Sequence, residues 1–278
     1  MNKNFKIALI SLIAVILGII LEQTIINFFR IHGLSILNNP ALSNAILEIV
    51  VMVIPCLIVK KFSNQKLNLR LIGITFHGQM KNIFFGMAVV FADIMVLYLT
   101  FWGMKFMSFK GLGFEFYTGS EVIKSVLSVF LIAIFAGICE EIFFRGVLLN
   151  YLSKAKGNLL ALILSSIIFT IFHTSRYHDF LMLISVFIMA IVLGYSFIYT
   201  NSLCLGIGIH FAVDFFTNLV SLNEPNLFII NLSNKLNSYS FEKIFICGIV
   251  IIMIFIFMLI FGVKKIRGEN EYELKETR

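Results

Sequence analysis

A run of ionisable residues stands inside an otherwise apolar stretch of this sequence. Residues 139–145 read C-E-E-I-F-F-R, which places Glu140, Glu141 and Arg145 on one predicted helix. Glu141 and Arg145 are four residues apart with the acid nearer the N-terminus, the preferred order for an ion pair on a helix. Glu140 points about 100° away and has no partner on its own helix. Either both acids simply neutralise Arg145, or Glu140 is left over to act as a general base.

Two further stretches carry groups that could act with Glu140. His173 ends one apolar stretch, while His210 and Asp214 stand four residues apart in another and so share a helix face. Two histidines and two acids on three helices indicate a site that handles water. In such a site Glu140 polarises a water molecule that His173 helps to hold. His210 and Asp214 orient the water and stabilise the oxyanion of a tetrahedral intermediate.

Other polar residues in apolar stretches stand alone. An interhelical hydrogen bond or a place near the lipid headgroups explains each of them as well as a site does. The acids of this kind are Glu22, Glu48 and Asp93, and the histidines are His32 and His178. Cys139 is a conceivable nucleophile, but the adjacent carboxylate disfavours its thiolate.

The composition excludes a soluble protein. Of the 278 residues 59% are hydrophobic and 13% are charged, whereas soluble domains carry about 25% charged residues. The apolar runs do not alternate polar and apolar residues, which excludes an outer-membrane barrel as well. The 22 Lys and Arg residues behind the net charge of +7 lie between the apolar stretches, so they indicate membrane topology and no nucleic-acid partner. The four cysteines lack a C-x-x-C spacing and are expected to be buried thiols.

Transmembrane helices must therefore position the polar residues. Eight apolar stretches predict an all-α, polytopic membrane protein with about eight spans around a polar cavity. They cover residues 6–29, 41–59, 83–101, 122–149, 158–172, 180–199, 203–222 and 241–263. The first is expected to be a retained helix and not a signal peptide, because its apolar run is long and no small-residue cleavage site follows.

The basic residues predict how these spans are oriented. An even number of spans puts both termini on one side, and fourteen Lys and Arg lie on that side against seven on the other, with Arg145 left out because it lies within a helix. This bias is typical of cytosolic termini. The predicted parts are residues 1–121 with the first three helices, 122–222 with the catalytic core, and 223–278 with the last helix and a charged tail after Val263.

A turn near Lys156 would bring Glu140 and His173 level. Glu140 precedes Lys156 by 16 residues and His173 follows it by 17, so each stands roughly 24 to 26 Å up its helix. The stretch from Val122 to Lys156 would be about 51 Å long as a helix, against a hydrocarbon core of ~30 Å. We therefore expect this hairpin to project into the cytosol or to break.

The motifs resemble those of a known family. Three of them follow one another on successive polar-bearing spans: Glu140-Glu141-x-x-x-Arg145, Phe169-x-x-x-His173 and His210-x-x-x-Asp214. This set is similar to that of the CPBP (CAAX protease and bacteriocin-processing, or Abi) intramembrane endopeptidases, which include the Ras-converting CAAX prenyl proteases. The resemblance covers mainly residues 122–222. It implies a helical fold around a cavity open to the cytosol, and cleavage of a peptide bond near the C-terminus of a membrane-associated substrate.

The resemblance also implies roles for single residues. Glu140 activates the water with His173 beside it, and His210 and residue 214 form the oxyanion site. Supporting roles fall to Glu141, Arg145 and Phe169. Prenyl-protease members usually carry Asn at the position of Asp214, and an unprotonated acid is a poorer donor to an oxyanion. Asp214 could instead orient His210 or bind a metal.

Cofactor and partner expectations follow from the same residues. His173, His210 and a carboxylate from Glu140 or Asp214 are ligand types that zinc takes, but no H-E-x-x-H pair is present, and metal-free activation of water is favoured. The expected partners are the lipid bilayer and a peptide or lipidated protein, in the cell membrane or, in a eukaryote, the endoplasmic reticulum membrane. The alternatives are a non-catalytic immunity or scaffold protein of the same fold, and a proton-coupled transporter.

Overall fold

The structure, a computed structural model, describes residues 2–32, 40–63, 80–177, 179–222 and 224–258. His178, the end of the eighth predicted stretch and the predicted charged tail lie outside the described residues. Three helices come first, α1 (Lys3–Ile31), α2 (Pro40–Ser63) and α3 (Met80–Gly103). The predicted eight apolar stretches all form helices, so the fold is that of an all-α, multi-pass membrane protein.

The second half of the bundle begins with one long helix. It consists of α4 (Gly119–Glu141), a π-helical segment (Ile142–Leu149) and α5 (Asn150–Lys156), which together form 38 continuous residues. Of the two outcomes expected for this stretch, projection into the cytosol or a break, the break is therefore absent. Within this continuous helix the backbone widens into the π-helical segment, all eight residues of which are buried.

Four more helices follow, α6 (Asn158–Phe172), α7 (Phe180–Thr200), α8 (Cys204–Asn218) and α9 (Ser238–Phe257). Gly157, with φ of 87°, separates α5 from α6 and makes the predicted turn beside Lys156. Among the described helices six are long and apolar enough to cross a membrane. The two others, α6 and α8, have 15 residues each, fewer than the ~20 that a full crossing needs.

A three-stranded sheet, which the sequence did not predict, covers one end of the bundle. Its strands are β1 (Met107–Leu112), β2 (Val220–Ser221) and β3 (Phe228–Leu232), with β3 in the middle, antiparallel to β1 and parallel to β2. The predicted seventh span, residues 203–222, is too long for this reason: α8 ends at Asn218, whose carbonyl accepts a hydrogen bond from the Asn226 side chain. The chain then leaves the helix to pair with β3.

The two ends of the bundle are distinct. The sheet ties together the ends of α3 and α8 and the start of α9, and we call this end the sheet face. At the opposite end the Lys3 ammonium donates to the Ser63 carbonyl, 3.3 Å away, and Lys156 lies over the Phe5 ring. The start of α1, the end of α2 and the end of α5 therefore meet there, and we call this end the terminus face.

Glycines allow α3 and α8 to approach each other closely. A Cβ atom at Gly208 would collide with the Ile83 backbone, and one at Gly86 would lie 2.9 Å from the Leu205 carbonyl oxygen. Side chains at these two positions would force the helices apart. Because α8 carries His210, this close approach also fixes the position of the predicted site.

The variant Gly208→Ala tests this contact. Its thermal unfolding midpoint in detergent should fall, because overpacking a close contact typically costs about 1–3 kcal/mol. Gly103→Ala at the end of α3 is the matched control, since a Cβ there meets nothing within 4 Å and alanine favours the helix by up to ~1 kcal/mol. Equal midpoints for the two variants would contradict the close approach.

Candidate active site

A cavity of about 780 Å³ opens into the bundle from the sheet face. Its lining on α8 runs from His210 to the last residue, Asn218, and its lining on α9 starts at the first residue, Ser238. Residues of β2 and β3 line it as well. The predicted site residues lie at the deep end of the cavity. The buried π-helical segment begins directly after Glu141 in the chain.

Three helices bring Glu140, His173 and His210 together at the floor of the cavity. Glu140 lies at the end of α4, His173 directly follows α6, and His210 lies in the middle of α8. The Glu140 Oε2 atom is 3.9 Å from the Nε2 atoms of both histidines. Glu140 and His173 are therefore level, in agreement with the helix count. A separation of 3.9 Å is too long for a direct hydrogen bond, but one water molecule at about 2.8 Å from each atom would bridge it.

The hydrogen bonds of the two histidines decide which nitrogen faces the cavity. The Nδ1 atom of His173 is 2.9 Å from the Phe169 carbonyl oxygen, and that of His210 is 3.1 Å from a Glu141 carboxylate oxygen. Both oxygens can only accept, so each Nδ1 carries the proton. Each neutral ring then presents the Nε2 lone pair towards Glu140, and a protonated ring presents an N–H donor there.

Glu141 and Arg145 form the predicted ion pair, and it is fully buried. Arg145 donates to the Glu141 Oε1 atom at 2.7 Å, while the two residues are 2% and 0% exposed. The same oxygen accepts the hydrogen bond from His210. Gly206 makes room for this carboxylate, since a Cβ there would lie 2.7 Å from its Oε2 atom. Glu141 thus does more than neutralise Arg145, because it also orients His210.

Phe169 links Arg145 to His173. Its ring stacks on the His173 imidazole with centroids 4.3 Å apart, and the Arg145 guanidinium carbon lies 4.5 Å from the Phe169 centroid. The cation and the stacked ring hold each other in place. This arrangement agrees with the supporting role expected for Phe169.

Asp214 lies on the cavity side of His210. Its Oδ2 atom is 3.6 Å from the His210 Nε2 atom, on the nitrogen that also faces Glu140. Glu141, and not Asp214, orients the His210 ring, because it contacts the Nδ1 atom. Asp214 is therefore placed to favour a positive charge on His210.

The sequence analysis did not place Asn44 and Glu48 in the cavity wall. Glu48, interpreted as an isolated structural acid, is 5% exposed and lines the cavity, and Asn44 lines it one helical turn away on α2. The Glu48 Oε2 atom and the Asn44 Nδ2 atom are buried without a hydrogen-bond partner. Asn44 and Glu48 are four residues apart, which puts both on one face of an apolar helix. This spacing was the signal in the sequence that could have indicated a polar wall.

The other polar residues that the sequence analysis singled out, where the structure describes them, lie outside the cavity lining. Asp93 is buried on α3, Glu22 accepts a hydrogen bond from Gln23, and His32 stacks on Phe28. The thiol of Cys139 points to α2, 3.9 Å from the Met52 sulfur, so it does not face the site. Cys139 and Cys204 are buried and Cys56 and Cys247 half-buried, in line with the expectation for the thiols.

Outside the cavity lining, Asp179 joins the starts of α7 and α9. One carboxylate oxygen accepts from the backbone N–H groups of the first turn of α7. The other accepts from the Lys243 ammonium at 2.8 Å and the Tyr239 hydroxyl at 2.7 Å. Hydrogen bonds from Lys243 and then Tyr239 hold the pKa of Asp179 well below its usual range.

The donor atoms at the floor are of the types that zinc binds, but their spacing does not fit it. Bonds of about 2.0–2.1 Å in a tetrahedral site place neighbouring donors about 3.4 Å apart, whereas Glu140 is 3.9 Å from each histidine nitrogen. Within the described residues, no group of three or more His, Cys, Asp or Glu side chains is arranged to hold a metal ion.

The fold and the cavity define a multi-pass helical membrane protein with a polar site inside the bundle. Residues 122–216 match the family model of the type II CAAX prenyl endopeptidases, Rce1-like. This match covers about a third of the chain and supports the resemblance to the CPBP/CAAX protease family. The matched segment contains Glu140, Glu141, Arg145, Phe169, His173, His210 and Asp214. No curated protein and no solved structure matched the chain significantly.

The variants Glu140→Gln and Glu141→Gln should differ in stability. Glu141→Gln leaves the buried Arg145 uncompensated, and breaking a buried pair typically costs about 3–5 kcal/mol. Glu140→Gln removes a charge whose Oε2 atom has no partner, so its unfolding midpoint in detergent should equal or exceed that of the wild type. A larger loss for Glu140→Gln than for Glu141→Gln would contradict the assignment of the two acids.

Proposed function

We propose that the protein is an intramembrane endopeptidase that cleaves a peptide bond with a water molecule activated by Glu140. The observation that carries this proposal is the convergence of Glu140, His173 and His210 from three helices. Their reactive atoms face one point at the floor of a cavity. The Glu140 Oε2 atom is buried there without a hydrogen-bond partner, which leaves it available to water.

Water activation needs a base and an orienting group. Glu140 takes a proton from the water, and the Nε2 lone pair of His173 holds the second water hydrogen, because its Nδ1 proton is engaged by the Phe169 carbonyl. The oxygen then attacks the carbonyl carbon of the peptide bond. General base catalysis of this kind contributes typically 10²–10⁴-fold to the rate.

His210 is placed to stabilise the oxyanion that forms. In its protonated form the ring donates its Nδ1 proton to Glu141 and presents the Nε2 proton to the cavity. The neighbouring carboxylates of Glu140 and Asp214 favour this positive charge. A charged donor aimed at a developing oxyanion in a site shielded from water is an effective means of lowering the barrier.

Collapse of the tetrahedral intermediate completes the reaction. The C–N bond breaks, and the proton that Glu140 took from the water passes to the leaving nitrogen. The products are one peptide with a new carboxyl terminus and one with a new amino terminus. Glu140 returns to its ionised state, and no step passes through a metal.

The location and shape of the cavity support the proposed substrate class. A volume of about 780 Å³ accommodates a short peptide segment but no folded domain. The walls combine apolar side chains with about as many polar or charged ones, which suits both the main chain and the apolar groups at the end of a membrane-associated or lipidated protein, prenylated or not. In a non-catalytic scaffold or immunity protein the same floor would be present without turnover.

Cleavage assays on the purified protein in detergent test this function. Prenylated and unprenylated peptides should be cut by the wild type, and Glu140→Gln, His173→Ala and His210→Ala should each lower kcat/KM by about 10²-fold or more. Exhaustive chelation should leave the rate unchanged, because no step uses a metal. Mass spectrometry of the products identifies the bond that is cut.

Asp93→Asn is the matched control for these variants, because Asp93 is a second buried carboxylate that does not line the cavity. It should keep the wild-type rate. Equal cleavage by wild type and Glu140→Gln would refute the mechanism. A wild type that cuts no peptide would favour the non-catalytic alternative.

A further inference from the structure

The α2 wall of the cavity carries two polar groups whose hydrogen bonds are incomplete. Glu48 is 5% exposed, Asn44 precedes it by one helical turn, and both line the cavity. In the part of the chain that the structure describes, the Glu48 Oε2 atom and the Asn44 Nδ2 atom are buried without a hydrogen-bond partner. Buried polar atoms without partners destabilise a fold. Packing of the bundle therefore does not account for these two side chains.

The contact between α2 and α4 shows how far these groups lie from the reacting carboxylate. Both helices run from the sheet face to the terminus face, and they meet where the sulfur atoms of Met52 and Cys139 are 3.9 Å apart. Glu48 precedes Met52 by four residues, and Glu140 directly follows Cys139. With a rise of about 1.5 Å per residue, Glu48 lies roughly 7.5 Å and Asn44 roughly 13.5 Å before Glu140 along the bundle.

This spacing matches the repeat of an extended peptide. The main-chain groups on one edge of an extended chain recur every two residues, or about 6.6–6.8 Å. The steps from Asn44 to Glu48 and from Glu48 to Glu140 are roughly 6 and 7.5 Å. The Glu48 carboxylate also interacts electrostatically with Glu140 and His210, which places it beside the floor by a separate observation. A peptide lying along α2 would therefore meet each group in turn.

The other walls leave room for such a peptide. Ala133 and Ala136 line the cavity on α4, beside the two polar residues of α2, and their small side chains let a main chain approach. A chain whose edge faces α2 can turn its side chains to the walls on α7 and α9. The apolar lining residues of those walls include Val186, Met189, Leu193, Ile246 and Ile249.

We propose that Asn44 and Glu48 bind the main chain of the substrate and hold it across the catalytic floor. The Asn44 amide donates to a peptide C=O group, and the Glu48 carboxyl group accepts from a peptide N–H group. The last torsion of both side chains is soft, so the buried atom can turn into the cavity. Glu48 then contacts the chain about two residues from the cleaved bond, and Asn44 about four. This inference rests on the proposed function and adds to it a binding subsite that recognises no particular sequence.

Kinetics of side-chain variants test the binding role. Asn44→Leu and Glu48→Leu should each raise KM about 3- to 10-fold with little change in kcat, because each removes one hydrogen bond and leaves the reacting groups in place. Glu48→Gln keeps an acceptor and should keep a KM near that of the wild type. Ile49→Ala is the matched control, since Ile49 is exposed and does not line the cavity. An unchanged KM in both leucine variants, or equal rises for Glu48→Leu and Glu48→Gln, would overturn the assignment.

Stability measurements separate binding from a structural role. The unfolding midpoints of Asn44→Leu and Glu48→Leu in detergent should equal or exceed that of the wild type, because the buried atoms that they remove have no partners. A lowered midpoint in both variants would assign the two residues to the packing of α2 and count against the proposal.

Ester substitutions in the substrate identify the main-chain group that meets Glu48. Replacing one peptide bond by an ester removes a single N–H group and keeps every side chain. In a scan of the bonds that are not cleaved, one ester about two residues from the cleaved bond should raise KM about 3- to 10-fold in the wild type and have little effect in Glu48→Leu, since both changes remove the same hydrogen bond. Ester effects of equal size in the two proteins at every position would contradict the contact.

Binding measurements distinguish a failure of this inference from a failure of the proposed function. Glu140→Gln retains the α2 wall, so its Kd for a fluorescent prenylated peptide in detergent should rise about 3- to 10-fold when Glu48→Leu is added. An unchanged Kd would overturn the inference even where the wild type cuts the peptide. A raised Kd together with a wild type that cuts no peptide would refute the proposed function and support the binding subsite.

Discussion

The buried charge of Arg145 is the constraint on which the rest of this site depends. An ionised guanidinium inside an apolar bundle is tolerated only when it is fully paired, and Glu141 provides that pair at 2.7 Å. The same carboxylate oxygen then reaches His210 on α8, and the guanidinium lies against Phe169 on α6. One neutralised charge therefore fixes the relative positions of three helices. Glu140 differs from Glu141 because this requirement is already met, and so its carboxylate remains available for chemistry.

Small residues allow the helices that carry this site to approach one another closely. Gly206 leaves the space that the Glu141 carboxylate occupies, and a Cβ at Gly137 would lie 3.0 Å from the Phe211 backbone nitrogen, where α4 passes α8. In lipid, helix association relies on close packing, because no hydrophobic force drives apolar helices together. The catalytic distances are thus set by backbone contacts between helices, which are stiffer than contacts between long side chains. This stiffness suits a reaction whose groups must meet within a few tenths of an ångström.

The sequence predicted what depends on local pattern and missed what depends on distant pairing. Hydropathy located all eight helices, and counting residues on either side of Lys156 placed Glu140 level with His173, because a helix has a constant rise. The pairing of β1 with β3 joins residues more than a hundred positions apart, and no local pattern specifies it. The same holds for the Glu141 contact with His210. Glu48 was set aside because the predicted span 41–59 carries no second charge, although Asn44 on the same face indicated a shared polar surface.

Asp179 joins the starts of α7 and α9 through its bonds to Lys243 and Tyr239. A carboxylate with a lowered pKa keeps its stabilising bonds at every pH above its ordinary value, about 3.9, and loses them only as the pH falls through the lowered value. These bonds therefore persist in neutral and mildly acidic surroundings, so a change of pH within that range does not separate the starts of the two helices.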